Sequence, residues 1–306
     1  MNPRIVFMGS PEFAVPTLSA LAARYPIVGV VTQPDRPAGR GQVLTSPPVK
    51  ILAEQLGLPV TQPEHLRRPE AMEQLRAWAP DLIVVAAFGQ ILRPEVLDLP
   101  PYGCINVHGS LLPRWRGAAP IQAALLNGDH ETGITIMRMD PGIDTGPILS
   151  QAALPILPDD TTGTLSVRMA ELGAHLLIQT LPKYLSGEIV PQQQDDTVAT
   201  YAPMLKKEEG RLDFNRSAAE LANQVRAFNP WPSAFTDWQG LLLKVHRAAS
   251  VPAAVPGFAP GSPVIAAGMP AFATADGWLL LLEVQPAGKK AMPGKVFLQG
   301  ARGWGA

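Results

Sequence analysis

The sequence predicts an α/β protein in two parts: an open sheet of strands alternating with helices, then a smaller β-rich domain. Three observations carry that prediction. Short apolar runs alternate with amphipathic segments over residues 4–187, the signature of βαβ units. Beyond residue 230 the pattern becomes short β-type stretches broken by Gly and Pro, as in a small barrel or sandwich. A length of 306 residues is long for one core and comfortable for two.

In the first part, Ile5–Met8, Ile27–Thr32, Leu82–Ala86 and Cys104–Val107 are short apolar runs of the kind buried in a parallel sheet. Helices are expected between them at Phe13–Ala23, Pro48–Leu56 and Pro69–Ala79, with Gly57 and Pro80 as stop signals. Thr164–Gly187 reads as one more helix or two. The stretch that follows is polar and irregular, which suggests a first domain at 1–189, a linker at 190–206 and a second domain at 207–306. That second domain should hold a helix at Ala218–Phe228. Its strands should lie at Ala234–Trp238, Leu241–Ala248, Ser262–Ala266 and Gly277–Val284. The Pro/Ala-rich stretch Ser250–Pro263 reads as a loop without chemistry, and the glycine-rich end Phe297–Ala306 is expected to fray.

Composition excludes several classes. Hydrophobic residues at 46% and charged residues at 17% describe a globular chain rather than a disordered one. Cys104 is the single cysteine, so an intramolecular disulfide is impossible and a reducing compartment is the default. No zinc or iron–sulfur spacing exists, and no metal is expected. The chain enters the run Arg4–Met8 at once, without a signal-peptide pattern, and no apolar run is long enough to span a bilayer. A cytoplasmic protein is expected. Net charge is −1, which argues against coating nucleic acid by charge alone. Residues 1–206 hold 15 basic and 19 acidic groups, and residues 207–306 hold 10 and 7. That asymmetry is small. Gly9 follows the first strand, yet the spacing lacks G-x-G-x-x-G, so NAD or FAD binding is not indicated.

The chemistry concentrates in Gly103–Gly117. In an extended strand Cys104, Asn106 and His108 share one face while Ile105 and Val107 share the other. That leaves an amide and an imidazole side by side at the carboxyl end of a strand, where ligands bind in open α/β sheets. They could be a catalytic pair, or buried polar groups that satisfy each other. A second polar cluster, Met139–Gly146, carries Asp144 between Gly142 and Gly146. It could present its carboxylate into a cleft or form an ordinary Asx turn. Together the three suit acyl transfer. An amide and an imidazole can donate to a developing oxyanion, and a carboxylate can orient the imidazole. No Ser or Cys nucleophile with an adjacent base is evident, so direct transfer to an amine fits better than an acyl-enzyme. Cys104 reads as structural.

The run Asn106-Val-His108-Gly-Ser-Leu-Leu-Pro113, with Asp144 downstream, resembles the 10-formyltetrahydrofolate-dependent formyltransferases. The resemblance spans nearly the whole chain. It takes in Phe7–Phe13, Gln33–Gly41, Arg114–Gln122, Gly133–Met137, Tyr201–Leu212, Phe228–Pro232 and Gly288–Met292. It implies a Rossmann-like open-sheet catalytic domain and a C-terminal OB-like β-barrel domain that assists tRNA binding. It makes Asn106, His108 and Asp144 catalytic, with Asp144 holding His108 protonated or relaying the amine's proton. Ser110, Leu111, Leu112 and Pro113 would line the folate site, and Phe88, Gly89 and Ile91 would meet the pterin. The formyl donor would be 10-formyltetrahydrofolate, and the acceptor the methionine of initiator tRNA.

Asp35–Leu44 holds two arginines, two glycines and one proline without apolar periodicity, and alone it reads as a solvated loop. The resemblance gives Arg36 and Arg40 to the tRNA acceptor end, with Arg40 as the key arginine. It likewise gives Lys206 and Lys207 to tRNA contacts. A monomer is sufficient. Two alternatives stay open: a formyltransferase acting on an amino-sugar nucleotide, and a non-catalytic tRNA-binding module.

Overall fold

The computed structural model describes residues 2–38, 41–253 and 257–305. The chain divides into two compact units. One runs to Pro120 and adds Thr132–Leu154 and Ser166–Ala202; the other comprises Ile121–Glu131, Pro155–Leu165 and the chain from Pro203.

The first unit is built on a seven-stranded sheet. Its order is Ile148–Pro155, Glu131–Arg138, Cys104–His108, Leu82–Ala86, Ile5–Gly9, Ile27–Val31 and Val60–Thr61. From Cys104–His108 outward to Val60–Thr61 all neighbours pair in parallel. Crossovers return each strand in the same direction, the open α/β arrangement the apolar runs predict and the Rossmann-like one the resemblance implies. Glu131–Arg138 is the exception: it pairs antiparallel to Cys104–His108, with His108 opposite Thr135. The sheet is therefore mixed, not purely parallel, because the chain turns back beside the strand that carries the polar pair.

Helices begin where proline permits. Val15–Ala22, Pro48–Gln55, Pro69–Trp78 and Pro94–Leu97 each hold a proline in the first turn, where no backbone donor is missed. This use accounts for part of the 33 prolines. Thr162–Leu185 is one continuous helix of 24 residues, not two. The stretch 190–202 is fastened to the first unit. Ile148 and Gln192 exchange backbone hydrogen bonds of 2.7 and 2.9 Å, and Tyr201–Ala202 pairs in parallel with Arg116–Gly117.

The second unit is β-rich, with a six-stranded sheet in which Leu241–Pro252 and Gly277–Pro286 form the central antiparallel pair. The strand Leu241–Pro252 runs into the Pro/Ala-rich stretch, so Ser250 to Pro252 are strand and not loop. Ser217 and Glu220 cap the helix Ala218–Ala227 reciprocally, satisfying donors that the first turn leaves open. As far as Gly305 the end is packed rather than frayed. Trp304 is only 5% exposed, and its indole Nε1 donates to Val264 O at 2.8 Å. A buried aromatic anchors this segment despite the glycines around it. No helix among the described residues is long and apolar enough to cross a membrane.

Candidate active site

All five residues of Cys104–His108 are buried. Cys104 packs with Val96 and Leu97 in the apolar core of the first unit. Burial pushes its thiol pKa up to about 12, with the charge of Asp98 adding and Arg138 opposing. Such a thiol stays protonated and unreactive. A thiol-titrating reagent at pH 8 should find no reactive cysteine in the native protein and one after unfolding in guanidinium. Modification of the native protein would contradict its structural role.

Asn106 and His108, 9% and 5% exposed, both turn to Asp144. Asn106 Nδ2 donates to Asp144 Oδ1 at 3.3 Å, and His108 Nδ1 lies 3.5 Å from Asp144 Oδ2. The Gly117 backbone N donates to the same Oδ2 at 2.8 Å. On its other side, His108 Nε2 donates to Trp115 O at 3.0 Å. A ring carrying protons on both nitrogens can donate to the carboxylate and the carbonyl together; a neutral ring donates to one. Only glycine fits at Gly117. Its φ is +114°, and a Cβ there would stand 2.6 Å from Ala202 O.

Asp144 has φ +53°, a left-handed conformation that Asp and Asn tolerate better than other side chains. The Asx turn in this loop belongs to a different residue. Asp140 Oδ1 accepts from the Gly142 N at 3.1 Å and from Thr145 Oγ1 at 2.7 Å, which leaves the Asp144 carboxylate to the polar cluster. Gly146 closes the loop, where a Cβ would stand 1.9 Å from Arg138 O.

The loop Ser110–Gly117 is braced from below. Thr135 Oγ1 donates to Ser110 O at 2.6 Å and accepts from Leu112 N at 3.0 Å. Gln151 Nε2 donates to both Leu112 O and Thr135 Oγ1 at 2.9 Å. Ser110 is fully buried, its hydroxyl donating to Arg114 O at 2.5 Å, and Leu112 is 3% exposed. The Ser110 hydroxyl therefore serves the loop itself, and the Leu112 side chain is turned from solvent. Leu111 and Pro113 are half-buried and remain able to touch a ligand. Phe88 lies in the core at 2% exposure, so it can meet a ligand only through its backbone; Gly89 is exposed and Ile91 is 75% exposed.

Arg36 is exposed, in a hairpin pairing Arg36–Ala38 with Val43–Thr45. The root of that hairpin is tied down by Asp35. Its carboxylate accepts from Gln62 and Lys50 at 2.7 Å and from Ser46 at 3.2 Å. These bonds, Gln62 first, hold its pKa below the usual carboxylate range. Arg40 lies outside the described residues. Lys206 and Lys207 are exposed at the start of a short 3-10 turn, Lys207–Gly210, with Glu208 and Glu209 directly behind them.

Sequence reasoning missed Gln194, which lies in the stretch that composition marks as irregular. Its amide Nε2 donates to Asp144 O at 2.8 Å and Gly146 O at 2.7 Å. No local periodicity signals a residue that reaches fifty positions back. No group of three or more His, Cys, Asp or Glu that could hold a metal exists among the described residues.

Fold and sequence together define the class. The chain belongs to the formyl transferase family: the formyl transferase domain matches residues 3–181, and the formyl transferase C-terminal domain matches residues 204–302. Among its relatives, the methionyl-tRNA formyltransferase of Myxococcus xanthus is 52% identical over 98% of this chain and 95% of that protein. That of Citrifermentans bemidjiense is 51% identical over 97% of this chain and 93% of that protein. A solved structure of WlaRD, a sugar 3N-formyl transferase in the presence of dTDP and 5-N-formyl-THF, superposes with a TM-score of 0.68. It is 18% identical and covers 94% of this chain and 98% of that one. At that identity the likeness concerns the fold.

Proposed function

We propose that this protein transfers the formyl group of 10-formyltetrahydrofolate to the α-amino group of methionine on initiator tRNA, in the cytoplasm, as a monomer and without a metal. The observation that carries the reading is the convergence of Asn106, His108 and Asp144 at one strand end. It occurs in a chain about half identical, over nearly its full length, to proteins named methionyl-tRNA formyltransferase.

In this reading the methionine nitrogen attacks the formyl carbon, forming one C–N bond, and the bond from that carbon to the folate N10 then breaks. Asn106 has two amide hydrogens. One goes to Asp144, and the other is available for the oxygen that becomes negative in the tetrahedral state. His108 gives that oxygen a second donor when its Nε2–H exchanges the Trp115 carbonyl for it, and Asp144 keeps the ring oriented through Nδ1. The proton lost by the amine returns to N10 by way of the His108–Asp144 pair, so no external acid or base is consumed.

Leu111 and Pro113 supply apolar walls for the folate, Ser110 and Leu112 shape the loop behind them, and Phe88, Gly89 and Ile91 offer backbone and an uncovered side chain to the pterin. Arg36 and Arg40 bind the acceptor end of the tRNA, where an arginine reads unpaired bases by hydrogen bonding and stacking. Lys206 and Lys207 add phosphate contacts on the second domain. The domain at 1–189 carries the chemistry and the domain at 207–306 assists tRNA binding, with 190–206 between them.

The test is a formylation assay with 10-formyltetrahydrofolate and three acceptors: methionyl initiator tRNA, methionyl elongator tRNA and an amino-sugar nucleotide. Initiator tRNA should be preferred over the others by roughly a hundredfold or more in kcat/KM, the range that polar recognition can supply. Transfer to the sugar nucleotide alone would replace the tRNA reading. Tight tRNA binding without transfer would make the chain a binding module.

A further inference from the structure

Among the described residues, Arg116 has the largest fully buried side chain, at 1% exposure. A guanidinium donates only, and buried it must be paired. Its Nη2 donates to Asp196 Oδ1 at 2.7 Å and its Nε to Gln194 Oε1 at 3.0 Å. That second bond decides how Gln194 is oriented. With its oxygen committed to Arg116, the Gln194 amide must point its hydrogens the other way. There it meets the carbonyls of Asp144 and Gly146, at 2.8 and 2.7 Å, which accept only. The series Asp196, Arg116, Gln194, Asp144 thus has a fixed polarity from end to end.

We propose that Gln194 is a positioning residue for the Asp144 carboxylate, and that Arg116 locks it in that role. The two carbonyls it grips flank the turn in which Asp144 adopts φ +53°. Released from that grip, the residue can relax toward an ordinary backbone conformation and carry its carboxylate away. The contacts at stake have little slack, since Asn106 and His108 already stand 3.3 and 3.5 Å from the carboxylate oxygens. Arg116 is also chain neighbour to Gly117, whose N–H binds the same carboxylate. One buried cation therefore pins both loops that meet at Asp144. This inference rests on the catalytic reading of Asp144 given above.

The test is a cycle of four proteins: wild type, Gln194→Ala, Asp144→Asn and the double variant, with Gln194→Met as a shape-conserving control for a destabilising cavity. Both Gln194 variants should lose about tenfold to a hundredfold in kcat, the effect of a displacement near 1 Å, with KM for either substrate within about twofold. In the Asp144→Asn background the same change should cost less than about twofold, because the group it positions is already disabled. An equal loss in both backgrounds, or wild-type kcat in both Gln194 variants, would overturn the proposal. Hydrogen exchange reads the grip independently of any substrate. The Gly117 amide, which donates to the Asp144 carboxylate at 2.8 Å, should exchange at least about tenfold faster in both Gln194 variants, and unchanged exchange would also overturn it. If wild type formylates no acceptor, the functional reading fails by itself while the exchange result still judges the grip.

Discussion

Replacing Asp144 with asparagine should lower kcat for formyl transfer by about three orders of magnitude, within the range for losing an acid–base or oxyanion partner. The substitution is close to isosteric, and asparagine tolerates the left-handed backbone at this position. What it removes is the charge, and with it one acceptor. Asp144 receives donors from Asn106, Gly117 and the His108 side, so an NH2 group placed there must face a donor whichever way it turns. His108 then loses the partner that orients it. Folate affinity and the melting temperature should change little, because the loop Ser110–Gly117 is braced by Thr135 and Gln151. Steady-state formylation kinetics beside tetrahydrofolate titration would check both halves. A loss smaller than about tenfold would mean that the carboxylate does not act in the reaction.

The second large effect concerns stability. Trp304 packs edge-on against Phe272 and Phe297, at ring-centroid distances of 5.0 and 5.2 Å, and stands 5.3 Å from Trp238. It also holds Val264 O through its indole nitrogen. Trp304→Ala leaves a large void in this cluster and a carbonyl without its donor, costing about 3–5 kcal/mol. For a domain near 100 residues this corresponds to a fall on the order of 15 °C in its unfolding temperature. Differential scanning calorimetry should show the transition of the C-terminal unit moving down, with the other transition in place. A shift below about 3 °C would mean that the cluster does not need this ring.

The structure and the sequence agree where the signal is local. The runs Ile5–Met8, Leu82–Ala86 and Ala234–Trp238 become strands within a residue at each end, because a buried strand must be apolar along its length. Asn106, His108 and Asp144 were legible as a group for a similar reason, since polar residues on an apolar strand and a glycine-flanked carboxylate stand out. Glu131–Arg138 and Ile148–Pro155 are strands that the sequence reading lacks, although turn residues bound both: Asn127–Asp129 and Asp140–Gly142 around the first, Gly146–Pro147 and Pro158–Asp160 around the second. The glycines around Trp304 suggested fraying, because flexibility is read residue by residue while anchoring depends on what one large ring finds across the domain. Gln194 and Thr135 act through contacts made only after folding, and pattern carries no trace of them. Ser110 shows the converse: a motif residue whose hydroxyl is spent on the loop it belongs to.

The left-handed backbone of Asp144 bears on which residue selection retains there. Glycine would adopt such a conformation without the steric cost of about 1 kcal/mol that a side chain bears. It would also strip the acceptor from the Asn106 amide and the Gly117 N–H, and an unpaired buried donor costs about 1–3 kcal/mol. Folding and turnover therefore hold the same aspartate in place, and a screen for stability alone would keep it.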